Sequence, residues 1–287
     1  MKLRIKDSLN RSSKPFLRWA GGKNWLIKYL PGLIKDLDFN NYHEPFFGGG
    51  SVFFALSPDG AILSDINEEL INTYVEVRDN VESVIKIIDE WAVNEDQYYA
   101  IRSEEPDDSI RRAARFIYLN RTSFNGIYRV NRKGQYNVPY GKKDSYKFNF
   151  QRIRHASEAL QGATLLARSF EESLKDVKAG DLVFLDPPYT VAHNNNGFIE
   201  YNKKLFSLDD QFELKSCIDA ISELGAFYIL TNAHHEVIDN LFSPGSIKLD
   251  VSRSSTLGGR NARRGNTQEY IFTNIPQARI GDIDGLA

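Results

Sequence analysis

The apolar run Leu182-Val183-Phe184-Leu185 leads directly into Asp186-Pro187-Pro188-Tyr189. Two prolines cannot continue a central strand and their rings fix φ. The Asp186 carboxylate, the Pro187 carbonyl and the Tyr189 ring are therefore expected in one set relation at a sheet's carboxyl edge. That set suits one chemical task. An exocyclic aromatic amine is a poor nucleophile because its lone pair is delocalised into the ring. Two acceptors, Asp186 and the Pro187 carbonyl, can take both of its N–H groups and draw the nitrogen towards tetrahedral geometry, which frees the lone pair to attack a sulfonium methyl. Tyr189 can stack on the base that carries the amine, once that base has left the duplex. The plainer alternative is a proline-stiffened strand end.

A second constellation lies upstream. His43-Glu44-Pro45-Phe46-Phe47-Gly48-Gly49-Gly50-Ser51 reads as a strand end running into a glycine loop and then a helix start. Glycines there let the backbone approach a ligand. Asp65, in Leu63-Ser64-Asp65-Ile66-Asn67, ends the next strand, where a carboxylate can accept from ribose hydroxyls. An adenosyl group fits such a loop. A pyrophosphate-bearing cofactor fits less well, since Phe53 stands where the dinucleotide fingerprint needs its third glycine. A purely structural glycine turn accounts for this loop alone about as well.

The elements that must position these residues are readable from period and punctuation. Strands are expected at Tyr42 to Phe46, Ala61 to Ser64, Thr164 to Ala167, Leu182 to Leu185, Ala226 to Thr231, Ile247 to Val251 and Tyr270 to Thr273. Helical patterns fill Lys23 to Leu30, Glu68 to Arg78, Asp108 to Leu119 and Leu208 to Leu224. The last is opened by a Ser207-x-x-Asp210 cap and puts Phe212, Cys217, Ile218, Ile221 and Leu224 inward. Alternating strands and helices argue for an α/β fold with a largely parallel sheet. The rhythm breaks at about Val77 to Leu160, which reads as an inserted domain. In it, Ile127 to Val130 and Gln135 to Val138 flank Asn131-Arg132-Lys133-Gly134 as a hairpin. The catalytic domain is then expected at 14–76 and 161–276, with the insertion at 77–160.

At 287 residues, with 41% apolar and 26% charged side chains, the chain can bury a full core, which excludes a disordered class. The single cysteine, Cys217, excludes a disulfide framework, a multi-cysteine zinc site and a zinc deaminase signature. No apolar run approaches the roughly 18 residues of a membrane span, so a cytoplasmic, nucleoid-associated protein without a membrane partner is expected. The net charge of −2 conceals an asymmetry. From Arg111 to Arg154 twelve basic residues face one acid, Asp144, and Val251 to Gly265 carries four arginines (Arg253, Arg260, Arg263, Arg264) and no acid. Such segments read either as a polyanion-binding face or as solvated basic loops.

The chain resembles the Dam-type DNA adenine N6-methyltransferases, of the group ordered as cofactor loop, recognition domain, then Asp-Pro-Pro-Tyr. The resemblance runs through Phe16-Leu17-Arg18-Trp19-Ala20-Gly21-Gly22-Lys23, Glu44 to Ser51, Ser64-Asp65-Ile66-Asn67, Tyr118-Leu119-Asn120-Arg121 to Gly141, Asp186 to Tyr189, Gly197-Phe198 with Tyr201, and Thr231-Asn232. It implies a Rossmann-like sheet binding S-adenosylmethionine, with an inserted, mostly helical target-recognition domain bearing the hairpin. Trp19, Ala20 and Lys23 match the cofactor wall, where the lysine can meet the methionine carboxylate. Phe46, the loop Gly48, Gly50 and Ser51, ribose-binding Asp65, Ser169-Phe170 beside the cofactor's adenine, and Asp186 complete that set. Asp186, Pro187, Pro188 and Tyr189 match the catalytic motif.

The same resemblance gives double-stranded DNA as partner. Arg129 matches the family's base-reading arginine, suited to the O6/N7 acceptors of guanine. Phe124, Asn125, Ile127 and Pro139 match neighbouring recognition positions, and Arg18 a basic residue near the first base. Arg121, Asn131, Arg132, Lys133, Lys142 and Lys143 belong to the same basic surface. Arg260, Arg263 and Arg264 are expected to clamp phosphates, making affinity fall steeply with salt. One departure is that Lys142-Lys143 stand after Gly141, where relatives often have a wedging aromatic. GATC is the leading site, with a monomer or weak dimer expected and, in restriction systems, a cognate endonuclease.

Other classes make distinct demands. A cytosine-C5 enzyme needs a nucleophilic thiol, and Cys217 sits within an amphipathic helix. Cytosine N4 methylation shares the amine logic, though serine is commoner than aspartate in its motif. A catalytically dead DNA-binding regulator would keep the hairpin and lose the acceptors, and a nicotinamide oxidoreductase would be protected by NAD. His234-His235 are adjacent and do not face one ligand; no metal is expected, and a solvated pair is the reading.

Overall fold

The computed structural model describes residues 14–34, 37–189, 206–254 and 266–276. The first elements are α1 (Leu30–Ile34), β1 (Tyr42–Glu44), α2 (Ser51–Leu56) and β2 (Ala61–Asp65). Four helices follow: α3 (Glu68–Asp79), α4 (Val81–Asp89), α5 (Glu95–Ser103) and α6 (Ser109–Thr122). After a single 3₁₀ turn at Phe124–Gly126 come α7 (Phe150–Leu160), β3 (Thr164–Ala167), α8 (Phe170–Leu174) and β4 (Leu182–Leu185). The chain closes with α9 (Leu208–Glu223), β5 (Phe227–Ala233), α10 (Glu236–Phe242), β6 (Ile247–Ser254) and β7 (Asn266–Thr273).

The strands form one seven-stranded, mostly parallel sheet in the order β3-β2-β1-β4-β5-β7-β6. Parallel pairing joins β2 to β3, β1 to β4 and β4 to β5, whereas β7 runs antiparallel to both β5 and β6. The architecture is the α/β, Rossmann-like class expected. The order reverses at β1 and β4, and ligands of open α/β sheets bind beyond the carboxyl ends of such strands.

The described residues fall into two compact units. One holds 25–46 and 169–276, the other 14–24 and 47–168. The core of the first is built on Val183, Leu185, Tyr228 and Leu230 from the sheet, with Leu214, Ile218 and Ile221 of α9 and Phe242 of α10 against them. Below β1 and β4, buried Asp181 ties the chain: Oδ1 accepts from the Asn41 backbone N–H at 3.0 Å, and Oδ2 lies 2.9 Å from His43 Nε2. In the second unit, Tyr98, Ile101, Tyr118 and Leu119 pack with Tyr136, Val138 and Tyr140.

Two expected elements differ. Lys23 to Leu30 is a run of hydrogen-bonded turns, and a short helix begins only at Leu30, with Pro31 in its first turn, where the missing N–H has no helical partner to lose. In α9 the Ser207–Asp210 capping box forms, but the inward stripe is Gln211, Leu214, Ile218 and Ile221. Phe212 and Leu224 are each 53% exposed and Cys217 is only partly covered. Gln211 displaces Phe212 because its amide oxygen accepts from buried Asn232 Nδ2 at 3.1 Å, a polar pair that hydrophobic periodicity does not reveal.

Outside β3 and β4, strand ends move by one to four residues, most of all at β7, which starts at Asn266 rather than Tyr270. The hairpin has the expected turn, with Gly134 at φ 79°, but its arms meet through a single antiparallel bridge, Val130 to Tyr136.

Candidate active site

At the end of β4, Asp186 Oδ1 accepts from Thr231 Oγ1 at 2.9 Å. Three residues on, the Tyr189 hydroxyl donates to Glu269 Oε2 at 2.6 Å. Pro187 between them is buried, whereas Asp186, Pro188 and Tyr189 are half-buried. The two prolines leave few torsions free, so a corner tied at both ends presents its carboxylate and ring in a defined way. A carboxylate has acceptor sites for several donors, so the Thr231 bond leaves Asp186 able to accept more.

Phe46 follows β1, the sheet neighbour of β4. It stacks on Phe170 with ring centroids 5.3 Å apart and meets Phe206 edge-on at 5.7 Å. The Ser169 hydroxyl caps α8 in a capping box with Glu172, so that side chain already serves the helix.

In the other unit, Asp65 is the hub of the glycine loop. Its Oδ2 accepts from the Gly48 N–H and its Oδ1 from the Asn67 N–H, each at 2.9 Å. Burial pushes the Asp65 carboxyl up from the ordinary aspartate range, against the pull of the backbone N–H groups of Asn67, Gly48 and Ile66. Gly48 and Gly50 have φ of 47° and 66°. A methyl group at Gly48 would lie 2.8 Å from Trp19 Cδ1, and one at Gly50 would lie 2.7 Å from Phe47 Cε2. These glycines thus make room for the protein's own rings. That is the structural role the sequence left open beside ligand approach.

Gly50 also caps α2, whose first residue is buried Ser51. Lys23 is 3% exposed and donates from Nζ to the Gly21 carbonyl at 2.9 Å, while Ala20 is exposed.

The same unit carries the basic hairpin. Arg129 is exposed, and its Nε donates to Asn137 Oδ1 at 2.7 Å across the turn. Asn131 works inside the turn, its Oδ1 accepting from the Lys133 N–H at 2.9 Å and the Gln135 N–H at 3.1 Å. Arg132 and Lys133 are exposed at the tip. At the base, Phe124 is 53% exposed and its N–H donates to the Pro139 carbonyl at 2.9 Å. Asn125 follows with φ 56°, and Ile127 is half-buried.

Arg18 is pinned by its backbone, its N–H donating to Asn120 Oδ1 at 2.8 Å, and its side chain crosses Gly126 so closely that a methyl group there would meet Cδ at 2.5 Å. Lys143 donates to the Arg121 carbonyl at the end of α6 at 2.8 Å, while Arg121 Nε donates to Tyr146 at 2.7 Å. Burial, then Arg18 and Arg121, push the Lys143 ammonium down to about 8. Lys142 is exposed with φ 53°.

The twelve basic residues are not one free patch. Arg111 pairs with Glu104 at 2.9 Å, Arg154 with Glu82 at 2.6 Å, and Arg112 with Glu69. All three acids lie outside the basic segment, so part of the run's charge is offset by neighbouring helices, while Arg129, Arg132, Lys133 and Lys142 are exposed at the hairpin and its base. Arg260, Arg263 and Arg264 lie outside the described residues, as do the side chain of Arg253 and the matched Gly197, Phe198 and Tyr201.

The histidine pair is structural rather than merely solvated: His235 caps α10, and His234 stacks on Tyr270 at 4.4 Å. Burial, then Glu213, raises the Cys217 thiol, which makes it a poor nucleophile.

Sequence reasoning missed Glu269, Asn137 and the support that Thr231 gives to Asp186. Each acts through a partner distant in sequence or across a turn. Only the position of Asn137 opposite Arg129 in the expected hairpin offered a signal.

A family model described as D12 class N6 adenine-specific DNA methyltransferase matches residues 19–254. The type II methyltransferase M1.LlaDCHI of Lactococcus lactis subsp. cremoris is 35% identical over 286 residues, covering 96% of this chain and 99% of the relative. M.MjaIII of Methanocaldococcus jannaschii, also a type II methyltransferase, is 33% identical over 285 residues, 91% of this chain and 99% of the relative. The DNA adenine methylase of Escherichia coli is 31% identical over 228 residues, 77% of this chain and 81% of the relative. With a family match over most of its length and relatives aligned nearly end to end, this chain belongs to the D12 class of N6 adenine-specific DNA methyltransferases.

Proposed function

We propose that the protein methylates N6 of adenine in a short duplex palindrome, with GATC the leading site, taking the methyl group from S-adenosylmethionine and acting on a base turned out of the helix. The observation that carries this reading is the doubly tied corner, Thr231 to Asp186 and Tyr189 to Glu269.

The residues available fit the donor. A buried ammonium at Lys23 suits its carboxylate, Asp65 has acceptor capacity for ribose hydroxyls, and Phe46 offers a half-buried ring to its adenosyl group. Trp19, Ala20, Gly48, Gly50, Ser51, Ser169, Phe170 and Asp186 complete the proposed set. When bound, S-adenosylmethionine supplies an electrophilic methyl.

The chain's own groups do the rest. The Asp186 carboxylate and the Pro187 carbonyl accept the two N–H bonds of the target amine, localise its lone pair and hold it for in-line displacement. Once the nitrogen has become cationic, its surplus proton passes to solvent water. Tyr189 stacks on the extruded base.

For recognition, the inserted segment 77–160 is the target-recognition domain, and Arg129 reads guanine. Phe124 is the wedge into the duplex in place of an aromatic after Gly141, a role supported by its exposure beside the left-handed Asn125. Arg18 stands near the first base of the site, and Arg121, Lys142, Lys143, Arg132 and Lys133 meet the phosphates. GATC leads because the Asn120 to Gly141 segment resembles the Dam-type hairpin. The names of M1.LlaDCHI and M.MjaIII support looking for a cognate endonuclease. No helix among the described residues is long and apolar enough to cross a membrane.

The test is to incubate duplexes containing GATC, or the same bases scrambled, with methyl-labelled S-adenosylmethionine and digest them to nucleosides. Label is expected in N6-methyladenine, from the GATC duplex only. Label in N4-methylcytosine would move the target to cytosine. Duplex binding without label would make the protein a regulator, and N6 label at another sequence would keep the chemistry and discard GATC.

A further inference from the structure

We propose that Glu269 is a positioning residue for the transfer step: its carboxylate holds the Tyr189 hydroxyl and so fixes the plane of the ring on which the extruded adenine stacks. This deepens the function proposed above and rests on it.

Glu269 is 0% exposed in the middle of β7, facing Ala233 of β5 and Val251 of β6 in register. A carboxylate buried among such neighbours is unfavourable unless it is hydrogen-bonded, and an alanine or valine would suit the sheet alone better. Its bond to Tyr189, at 2.6 Å, has the length of a charge-assisted O–H···O⁻ contact.

Register adds a second observation. Thr231 lies opposite Ile271, and Ala233 opposite Glu269. Because strand side chains alternate, Thr231 and Glu269 project from the same face of the β5–β7 pair. Thr231 holds Asp186 and Glu269 holds Tyr189, so one face of two strands secures both functional side chains of the corner. The hydroxyl is the only part of Tyr189 that stacking does not need, which gives it a separate purpose as a tether.

The experiment measures single-turnover methyl transfer to a duplex carrying the target site, together with DNA Kd, Tm and the fluorescence of 2-aminopurine at the target position. It compares wild type, Glu269→Ala, Glu269→Gln, Tyr189→Phe and the Glu269→Ala/Tyr189→Phe double variant. A displaced ring should slow transfer in Glu269→Ala by roughly 10- to 100-fold, with Kd unchanged within about twofold. The 2-aminopurine lifetime distribution should broaden as the base loses its fixed partner.

Tyr189→Phe keeps the stacking face and loses the tether, so it should show a similar loss, and the double variant should be no slower than either single variant. Glu269→Gln keeps the size of the side chain and weakens the bond, so it should fall between wild type and alanine. If the alanine variant does not fold, the glutamine variant carries the same comparison with Tyr189→Phe.

Wild-type transfer by a folded Glu269 variant would overturn the proposal, as would losses that add in the double variant. A loss that disappears once Tm or Kd is matched would do the same. Wild-type protein that puts no methyl on adenine would overturn the underlying function instead.

Discussion

The Asp186–Tyr189 corner and the Asn131–Gly134 hairpin both present polar side chains, but the molecule holds them in different ways. At the corner the supports come from strands far along the sequence, and the supporting residues, Thr231 and Glu269, are both fully buried. At the hairpin the supports are local and less buried: Asn131 braces the turn, and Asn137 holds Arg129 from eight residues beyond it in the chain. Under the proposed function, a step that bends an amine towards tetrahedral geometry tolerates little displacement, which suits half-buried groups held by fully buried partners. The proposed reading of a base edge requires open access and some adjustment on contact, which suits an arginine that is oriented but left at the surface.

That contrast makes the largest effect fall at the corner. Asp186→Ala should lower the transfer rate on the order of a thousandfold or more while leaving duplex affinity largely intact, as checked by labelled methyl incorporation beside a binding titration. Lost binding with retained transfer would reverse the two assignments. Arg129→Ala should cost about 1–3 kcal/mol at one guanine and relax preference there, as checked by transfer to single-base variants of the site. An unchanged preference would remove Arg129 from base reading.

Lys143, at the hairpin's base, sharpens the comparison through pH. Between about 8 and the ordinary lysine range the unfolded chain holds a proton that the folded protein has given up, so stability should rise with pH across that window. DNA binding should respond the other way. A phosphate favours the ammonium, so affinity should weaken as pH rises through about 8, and Lys143→Met should flatten both profiles. The smallest effect is expected for Asn137→Ala, about 0.5–1.5 kcal/mol in discrimination at the Arg129 base with the transfer rate on the best site unchanged. If Asn137→Ala were to slow chemistry as much as a corner variant, the separation of the two regions would fail.

Most of the sheet was legible in the sequence because short apolar and β-branched runs set off by glycine or proline specify strands locally, as at Thr164–Ala167 and Leu182–Leu185, where the expected and observed limits agree. The Ser207–Asp210 cap was legible for the same reason. The inner face of α9 was not, because Gln211 is buried by a partner on another strand. The roles of Thr231 and Glu269 were hidden similarly. An isolated glutamate in a strand reads as a solvent-facing residue until the tyrosine that occupies its carboxylate is located. The basic run was legible as a charge count but not as a surface, since Arg111, Arg112 and Arg154 meet acids from outside the run.

Tyr128, one residue before Arg129, stacks on both Phe116 and Trp19, with ring centroids 5.1 and 5.5 Å away, while those two rings lie 6.2 Å from each other, and Trp19 in turn fills the space over Gly48. A lineage acquiring a new target word has little latitude to reroute the main chain there without disturbing the indole beside the glycines. On the proposed reading, retargeting is thereby channelled into exchange of the outward base-reading residue at 129, on a scaffold that stays put.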